Sequence, residues 1–203
     1  MNYIENIAEK VLDQAGITEL PIKADHIAEF ICDLEFKWLD LDKLSSNGIV
    51  LAAISFGEGK IYLNKSKELE LKNNPGRLNF TLAHELGHWF LHKDLSQEIL
   101  PGFEEKILIC RGINVQTDRK EREANIFAAY LLMPEKLVVD QLKFLKYPLN
   151  EYDLKQIANT FRVSKQALEI RLVDELRLLH YTNNLYYKNE LEALEANGQL
   201  RLL

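Results

Sequence analysis

Two histidines and a glutamate stand at a spacing that suits metal chemistry, in the segment His84-Glu85-Leu86-Gly87-His88. In an α-helix, positions four apart share one face and lie about 6 Å apart along the axis, so two imidazoles can bind one ion. Glu85, one position round the helix, can then take a proton from a water in the open coordination position. The pattern is typical of zinc-dependent hydrolases, and it predicts His84 and His88 as metal ligands and Glu85 as the catalytic base.

The flanking residues predict that this motif lies on an amphipathic helix over 78–91. Its apolar positions, which would bury the segment, are Phe80, Leu82, Ala83, Leu86, Trp89 and Phe90. The two histidines should therefore face the interior or a cleft. His92 follows on the same helix, but it lies about 12 Å along the axis from His84, too far to share the ion. We expect His92 to be a residue of the helix C-terminus, near the negative end of the helix dipole.

A second helix, predicted over 119–132, offers the third ligand that a zinc hydrolase needs. One stripe at three- and four-residue spacing contains Glu121, Ala124, Asn125, Ala128 and Leu132. The small alanines of this stripe would let the helix approach the one carrying Gly87 closely, which places Glu121 at the metal. Glu123 points about 160° away from Glu121 on an ideal helix, and it remains the alternative ligand.

Two further residues of this helix are candidates for supporting roles. Asn125, one turn after Glu121, could hydrogen-bond a metal ligand and fix its orientation, although a solvent-facing position fits its spacing equally well. Tyr130 could help to hold the oxyanion of a reacting carbonyl, although packing in the core is the simpler role for it.

Together, the two segments carry a family resemblance. Residues 79–88 (NFTLAHELGH) are followed, in the right order, by residues 121–134 (EREANIFAAYLLMP). The chain resembles the ImmA/IrrE family of metallopeptidases, from about residue 17 to residue 179. The resemblance implies an intracellular zinc peptidase whose third ligand is a glutamate. It also implies the substrate, a helix-turn-helix repressor of a mobile element, prophage or stress regulon, whose cleavage relieves repression.

Length and composition fit one core with a small appended module. The chain has 203 residues, of which 47% are hydrophobic. We predict a metallopeptidase domain over 1–147 and a helical, helix-turn-helix-like module over 148–203. The first residues are too charged for a signal peptide, and the longest apolar run, over 49–56, is too short to span a bilayer. We therefore expect a cytoplasmic protein without membrane contact, in which Cys32 and Cys110 are reduced.

Three short segments before the metal helix are predicted as strands, over 35–39, 49–56 and 60–64, with a turn between the last two. Together with two N-terminal helices, they predict an α+β, zincin-like core in which a small antiparallel sheet lies beside the HExxH helix. Because an extended peptide can pair with an exposed strand, the hairpin over 49–64 is a candidate substrate platform.

Residues 153–179 support a rival interpretation, since their pattern predicts a helix, a turn and a second helix that starts at Ser164. A duplex-binding face needs excess positive charge, but basic and acidic residues balance here and the whole chain has a net charge of -6. We therefore favour a packing or partner-recognition module over DNA binding. A metal-binding regulatory protein that acts through a partner or DNA, without proteolysis, remains the alternative function. One zinc ion is the expected cofactor, and the same ligands also accept manganese or iron.

Overall fold

The computed structural model describes residues 3–42, 50–93, 107–111 and 119–189, except the side chains of 107–111. The helices are α1 (Tyr3–Ala15), α2 (Ala24–Phe30), α3 (Glu68–Asn73), α4 (Pro75–His92), α5 (Arg119–Leu132), α6 (Glu135–Leu142), α7 (Glu151–Phe161) and α8 (Lys165–Glu169). The strands are β1 (Glu35–Leu39), β2 (Val50–Ser55), β3 (Lys60–Asn64), β4 (Ile107–Arg111), β5 (Leu179–Thr182) and β6 (Leu185–Lys188). The predicted α+β class is confirmed, and α4 and α5 are the HExxH helix and the predicted ligand helix.

A four-stranded sheet in the order β1-β3-β2-β4 packs against α4 through β2. β2 pairs antiparallel with β3 and β4, whereas β1 pairs parallel with β3. β2 comes between β1 and β3 in the sequence and runs opposite to both, so β1 and β3 run in the same direction. The sheet is therefore mixed, and the expectation of a purely antiparallel sheet is wrong for β1. The predicted substrate platform is also corrected, since both strands of the hairpin are central and the outer strands of the described sheet are β1 and β4.

α4 begins at a capped turn and is tied to the chain before it. The side chain of Asn74 accepts a hydrogen bond from the backbone N–H of Arg77 at 3.1 Å, which satisfies one of the free donors of the first turn. One turn later, the buried Asn79 amide accepts from the N–H of Ala24 and donates to the carbonyl of Ile22, both at 2.9 Å. Asn79 therefore fixes the segment that leads into α2 against the metal helix.

The helices α4 and α5 pack more extensively on each other than any other pair of elements in the described parts of the chain. Their closest approach is at Gly87, where an added Cβ would lie only 2.8 Å from the Cα of Ala124 and 2.9 Å from its carbonyl oxygen. A side chain at position 87 would therefore meet backbone atoms of α5. The predicted close approach of the two helices at Gly87 is confirmed.

A buried arginine connects α1 and the C-terminal helices to the ligand helix. Arg171 follows α8 in a π-helical segment over Ile170–Glu175 and is 2% exposed. Its Nε donates to the carbonyl of Met133, just beyond α5, at 3.2 Å, and its guanidinium lies 4.4 Å from the ring centroid of Tyr130. The guanidinium also meets Glu175 at 2.9 Å and Glu5 of α1 at 4.0 Å. Arg171 thus connects α1, α5 and the C-terminal helices at one buried point.

The C-terminal elements share the core of the metal helices. α7 and α8 form the predicted helix-turn-helix-like pair, and β5 and β6 form a hairpin. Leu154 and Phe161 of α7, together with Leu172, belong to the same buried cluster as residues of α4 and α5. The domain division between residues 147 and 148 stays a prediction. In the described ranges, no helix is both long and apolar enough to cross a membrane.

Candidate metal centre

Three side chains from the two packed helices converge at one point. His84 and His88 of α4 bring their Nε2 atoms to 3.0 Å from each other. Glu121 of α5 places Oε2 at 3.3 Å from His84 Nε2 and Oε1 at 3.4 Å from His88 Nε2. All three ligating groups lie within 4.8 Å of one another, so these residues could hold a metal ion.

The spacing of these atoms suits a tetrahedral ion. Two ligand atoms bound at about 2.1 Å to a tetrahedral zinc ion lie about 3.4 Å apart. The three separations in the cluster are 3.0, 3.3 and 3.4 Å. Two imidazoles and a carboxylate are also a donor set that catalytic zinc sites use, with the fourth position left for water. The residues present therefore fit a zinc ion.

The electrostatics of the cluster favour a cation. Burial lowers the pKa of His88 to about 4. Burial also opposes a charge on His84, but the hydrogen bond to Glu121 and the charges of Glu85 and Glu121 outweigh it, so the pKa of His84 is raised. Burial opposes ionisation of Glu121 too, yet its hydrogen bonds with the two histidines lower its pKa to about 2. A carboxylate charge therefore stands beside the ring nitrogens at neutral pH.

Asn125 of α5 contacts one of the candidate ligands from behind. Its Oδ1 lies 2.9 Å from His84 Nδ1. Because an amide oxygen only accepts hydrogen bonds, His84 Nδ1 carries the hydrogen, and the Nε2 lone pair is left for a metal. The spacing of Asn125 and Glu121 allowed this contact and a solvent-facing position equally, and the role of Asn125 in tuning a metal ligand stays a prediction.

Glu85 occupies a buried position beside the cluster. Its side chain is fully buried on α4, and its charge contributes to raising the pKa of His84. A buried carboxylate next to a candidate metal ligand can accept a proton from a water at the centre. The assignment of Glu85 as catalytic base stays a prediction.

Two other predicted residues lie outside the cluster. Glu123, the alternative ligand, places Oε2 at 3.0 Å from His92 Nε2, and its Oε1 accepts from Arg119 Nε at 2.7 Å. Tyr130 lies against the guanidinium of Arg171 and packs on the core. The geometry brings Glu121, and neither Glu123 nor Tyr130, into the group of described side chains that could hold an ion.

His92 makes a contact with His88 that the sequence did not lead us to predict. It is the last residue of α4, as expected, but it is 2% exposed and its Nδ1 lies 3.0 Å from His88 Nδ1. His92 lies outside the group of His84, His88 and Glu121, as expected from its distance to His84, but the four-residue spacing from His88 puts it on the same face of the helix. That spacing was the sequence signal for a contact between His92 and the Nδ1 side of His88, away from the ion.

A cavity of about 540 Å³ lies between α4, α5 and α8, and one of its lining residues is Asn125, which contacts His84. Its walls are largely apolar, with Phe80 from α4, Ile126 and Ala129 from α5, and Ala167 from α8. The second helix of the helix-turn-helix-like pair therefore faces the metal helices across this cavity.

An HExxH helix packed on a helix that supplies a glutamate, beside a small sheet, defines the class of HExxH metallopeptidases. The family model of peptidase M78, described as an IrrE N-terminal-like domain, matches residues 45–173. This is more than half of the chain, and the chain belongs to this family. It is also similar to metallopeptidase ImmA of Bacillus subtilis (strain 168), with 25% identity over 164 residues, which cover 80% of this chain and 82% of that protein. The resemblance predicted from the two motifs is confirmed.

Proposed function

We propose that this chain is a cytoplasmic zinc-dependent endopeptidase that cleaves a specific helix-turn-helix transcriptional repressor and thereby relieves repression. The observation that carries the proposal is the convergence of His84, His88 and Glu121 between α4 and α5. Membership of a metallopeptidase family supports peptide hydrolysis. The choice of a repressor as substrate rests on the resemblance of the two motifs to the ImmA/IrrE family.

In the proposed reaction, His84, His88 and Glu121 hold the ion, and Glu85 moves the proton. Bound zinc supplies a Lewis acid that activates water and polarises a peptide carbonyl. Glu85 accepts the proton as the water attacks the carbonyl, and then passes it to the amine that leaves. The buried position of Glu85 keeps bulk water away from the carboxylate during this transfer. Asn125 holds the ring of His84 in the required orientation.

The architecture supports a selective rather than a general peptidase. The described sheet has four short strands, and an extended substrate could pair only with its outer strands, β1 or β4. Such a site offers little surface for binding unfolded chains of any sequence. We therefore expect docking of the folded repressor to provide most of the selectivity, with short peptides that span the cut as poor substrates.

The competing DNA-binding function receives no support from the second helix of the C-terminal pair. Ala167 and Gln166 of α8 line the cavity beside α4 and α5, so this face of the helix is turned towards the metallopeptidase core. Lys165 of the same helix forms ion pairs with Glu151 and Glu169. A recognition helix needs an outward face with free basic side chains.

The test compares cleavage of three substrates by the full chain at equal zinc. These are a folded helix-turn-helix repressor encoded beside the gene of this chain, an isolated peptide spanning the cut in that repressor, and casein. We expect one specific cut in the repressor, slow cleavage of the peptide and no digestion of casein. Rapid, non-selective digestion of casein would point to a general peptidase instead.

Glu85→Gln is the matched variant, because the amide cannot accept the proton and the residue is not a proposed ligand. We expect it to retain zinc, measured by elemental analysis, and to lose cleavage, whereas His88→Ala should lose both. Glu29→Gln, which makes the same change at an exposed position on α2, should leave both unchanged. A Glu85→Gln protein that cleaves near the wild-type rate would overturn the mechanism. A wild-type protein that binds zinc and the repressor without cutting it would favour the regulatory alternative.

A further inference from the structure

A chain of hydrogen bonds runs from the candidate metal centre to the protein surface through His92. His88 Nδ1 and His92 Nδ1 are 3.0 Å apart, and His92 Nε2 lies 3.0 Å from Glu123 Oε2. His88 is fully buried and His92 is 2% exposed, so their mutual contact is shielded from water, whereas Glu123 is partly exposed. The other oxygen of Glu123 accepts from Arg119, whose side chain is exposed.

The donors and acceptors of this chain can be assigned from one end to the other. A carboxylate accepts hydrogen bonds, so His92 donates to Glu123 through Nε2–H. Neutral His92 then has a lone pair on Nδ1, which accepts from His88 Nδ1–H. When an ion is bound, His88 in turn has its lone pair on Nε2, the atom that faces His84 and Glu121. Glu123 thus selects the tautomer of His92, and His92 selects the tautomer of His88.

We propose that His92 and Glu123 form a positioning pair that holds His88 in the tautomer and ring orientation required for metal binding. Without the carboxylate, neutral His92 could carry its hydrogen on Nδ1 and oppose the Nδ1–H of His88. His88 would then have to carry its hydrogen on Nε2, where it blocks the ion. The inference rests on the proposed metal site, and it gives Glu123 a role other than that of alternative ligand.

The two candidate histidine ligands differ in a way that makes this pair necessary. Behind His84, Asn125 presents an amide oxygen, which accepts in every state and needs no further partner. Behind His88, the acceptor is another imidazole, which can present either a lone pair or a hydrogen. Only an acceptor on the far side of His92 removes this ambiguity, and Glu123 supplies it.

The principal experiment measures zinc affinity of the full chain by chelator competition. We expect His92→Phe and Glu123→Ala each to weaken zinc binding about 10- to 100-fold, the range found when partners behind metal-ligating histidines are removed. Since Glu123 acts through His92, the double variant should bind zinc as weakly as His92→Phe alone. Arg119→Ala removes the exposed partner of the same carboxylate, and its zinc affinity should stay within about twofold of wild type.

A rescue variant separates positioning from a purely structural role. The Oδ1 atom of an asparagine at position 92 would be two bonds from Cβ, as Nδ1 of His92 is. It would accept a hydrogen bond from His88 as Asn125 does from His84. We expect His92→Asn to bind zinc much more tightly than His92→Phe, and adding Glu123→Ala to it should cause no further loss. Circular dichroism and thermal unfolding of each metal-free variant show that the chain is folded.

A second readout does not depend on metal. ¹⁵N NMR of the imidazole nitrogens in the metal-free full chain should show His92 with its hydrogen on Nε2, and Glu123→Ala should change this tautomer ratio. Unchanged zinc affinity in folded His92→Phe, or additive losses in the double variant, would overturn the inference. If wild type binds no zinc, or His88→Ala and Glu121→Ala bind it as tightly as wild type, the proposed metal site itself fails, and the inference with it.

Discussion

The geometry of the candidate centre depends on the absence of a side chain at Gly87, where α4 and α5 are in contact. In Gly87→Ala, the added Cβ would lie 2.8 Å from the Cα of Ala124. Carbon atoms in ordinary contact are about 3.5 to 4.0 Å apart, so α4 and α5 must separate by about 0.7 to 1.2 Å. The neighbouring atoms belong to the backbone of α5, and no rotation of a side chain relieves the clash.

Two opposing effects keep the cost in stability small. Overpacking costs about 1 to 3 kcal/mol, whereas alanine is better than glycine inside a helix by about 1 kcal/mol. We therefore expect the free energy of unfolding of the metal-free protein to fall by about 0 to 2 kcal/mol. The effect on function should be larger. Glu121 lies one turn before Ala124 on α5, so its separations of 3.3 and 3.4 Å from the two histidines would grow to about 4 to 4.6 Å, too long for a shared tetrahedral ion.

Denaturant unfolding, chelator competition for zinc and repressor cleavage test this reasoning together. We expect Gly87→Ala to stay folded, to bind zinc more weakly and to lose about 100-fold in cleavage rate, as misplacement of a site by about 1 Å can cause. Gly76→Ala is the control on the same helix, because its Cβ would lie 3.2 Å from Val163, away from Glu121. Wild-type zinc affinity in Gly87→Ala, or an equal loss in Gly76→Ala, would refute the reasoning.

Three further predictions concern single side chains. Glu121→Ala should lower zinc affinity more than Glu123→Ala, since only Glu121 lies in the cluster; an equal or larger loss for Glu123→Ala in chelator competition would reverse the assignment. Asn79→Ala should lower the free energy of unfolding by about 2 to 3 kcal/mol in urea, because two buried backbone groups lose their partner, and a loss below about 0.5 kcal/mol would contradict this. Burial raises the pKa of Cys32 to about 11, so only about one thiol in a thousand is ionised at pH 8. Alkylation of Cys32, followed by peptide mass spectrometry, should therefore be over 100-fold slower in the folded than in the urea-unfolded chain, and equal rates would show that the thiol is not buried.

Local spacing in the sequence was enough to predict the two helices that carry the candidate centre. The period of apolar residues around His84 and His88 identifies the buried face of α4, and the stripe from Glu121 to Ala128 identifies the face of α5 that meets it. Both signals depend on neighbours within two turns of one helix. For the same reason, the close packing at Gly87 could be inferred from small residues alone.

Pairing between distant segments was not predictable in the same way. The direction of β1 relative to β3 depends on the path of the chain between them, and no residue of a short strand encodes it. β4 was missed because four apolar residues followed by an arginine, within a long connection, have no repeating pattern. The contact of His92 with His88 was not predicted, because the search for metal ligands considered only distance to the ion, whereas His92 lies against the far side of His88.

The position of Arg171 has a consequence for newly made chains. The segments that carry the candidate ligands leave the ribosome well before Arg171, which anchors the end of the ligand helix at Met133 and also meets α1 through Glu5. A nascent chain therefore lacks a buried contact that holds α5 in place until most of its sequence has been synthesised. Since domains fold as units, the candidate metal centre should form late in translation, after the helices that pack around Arg171 have been made.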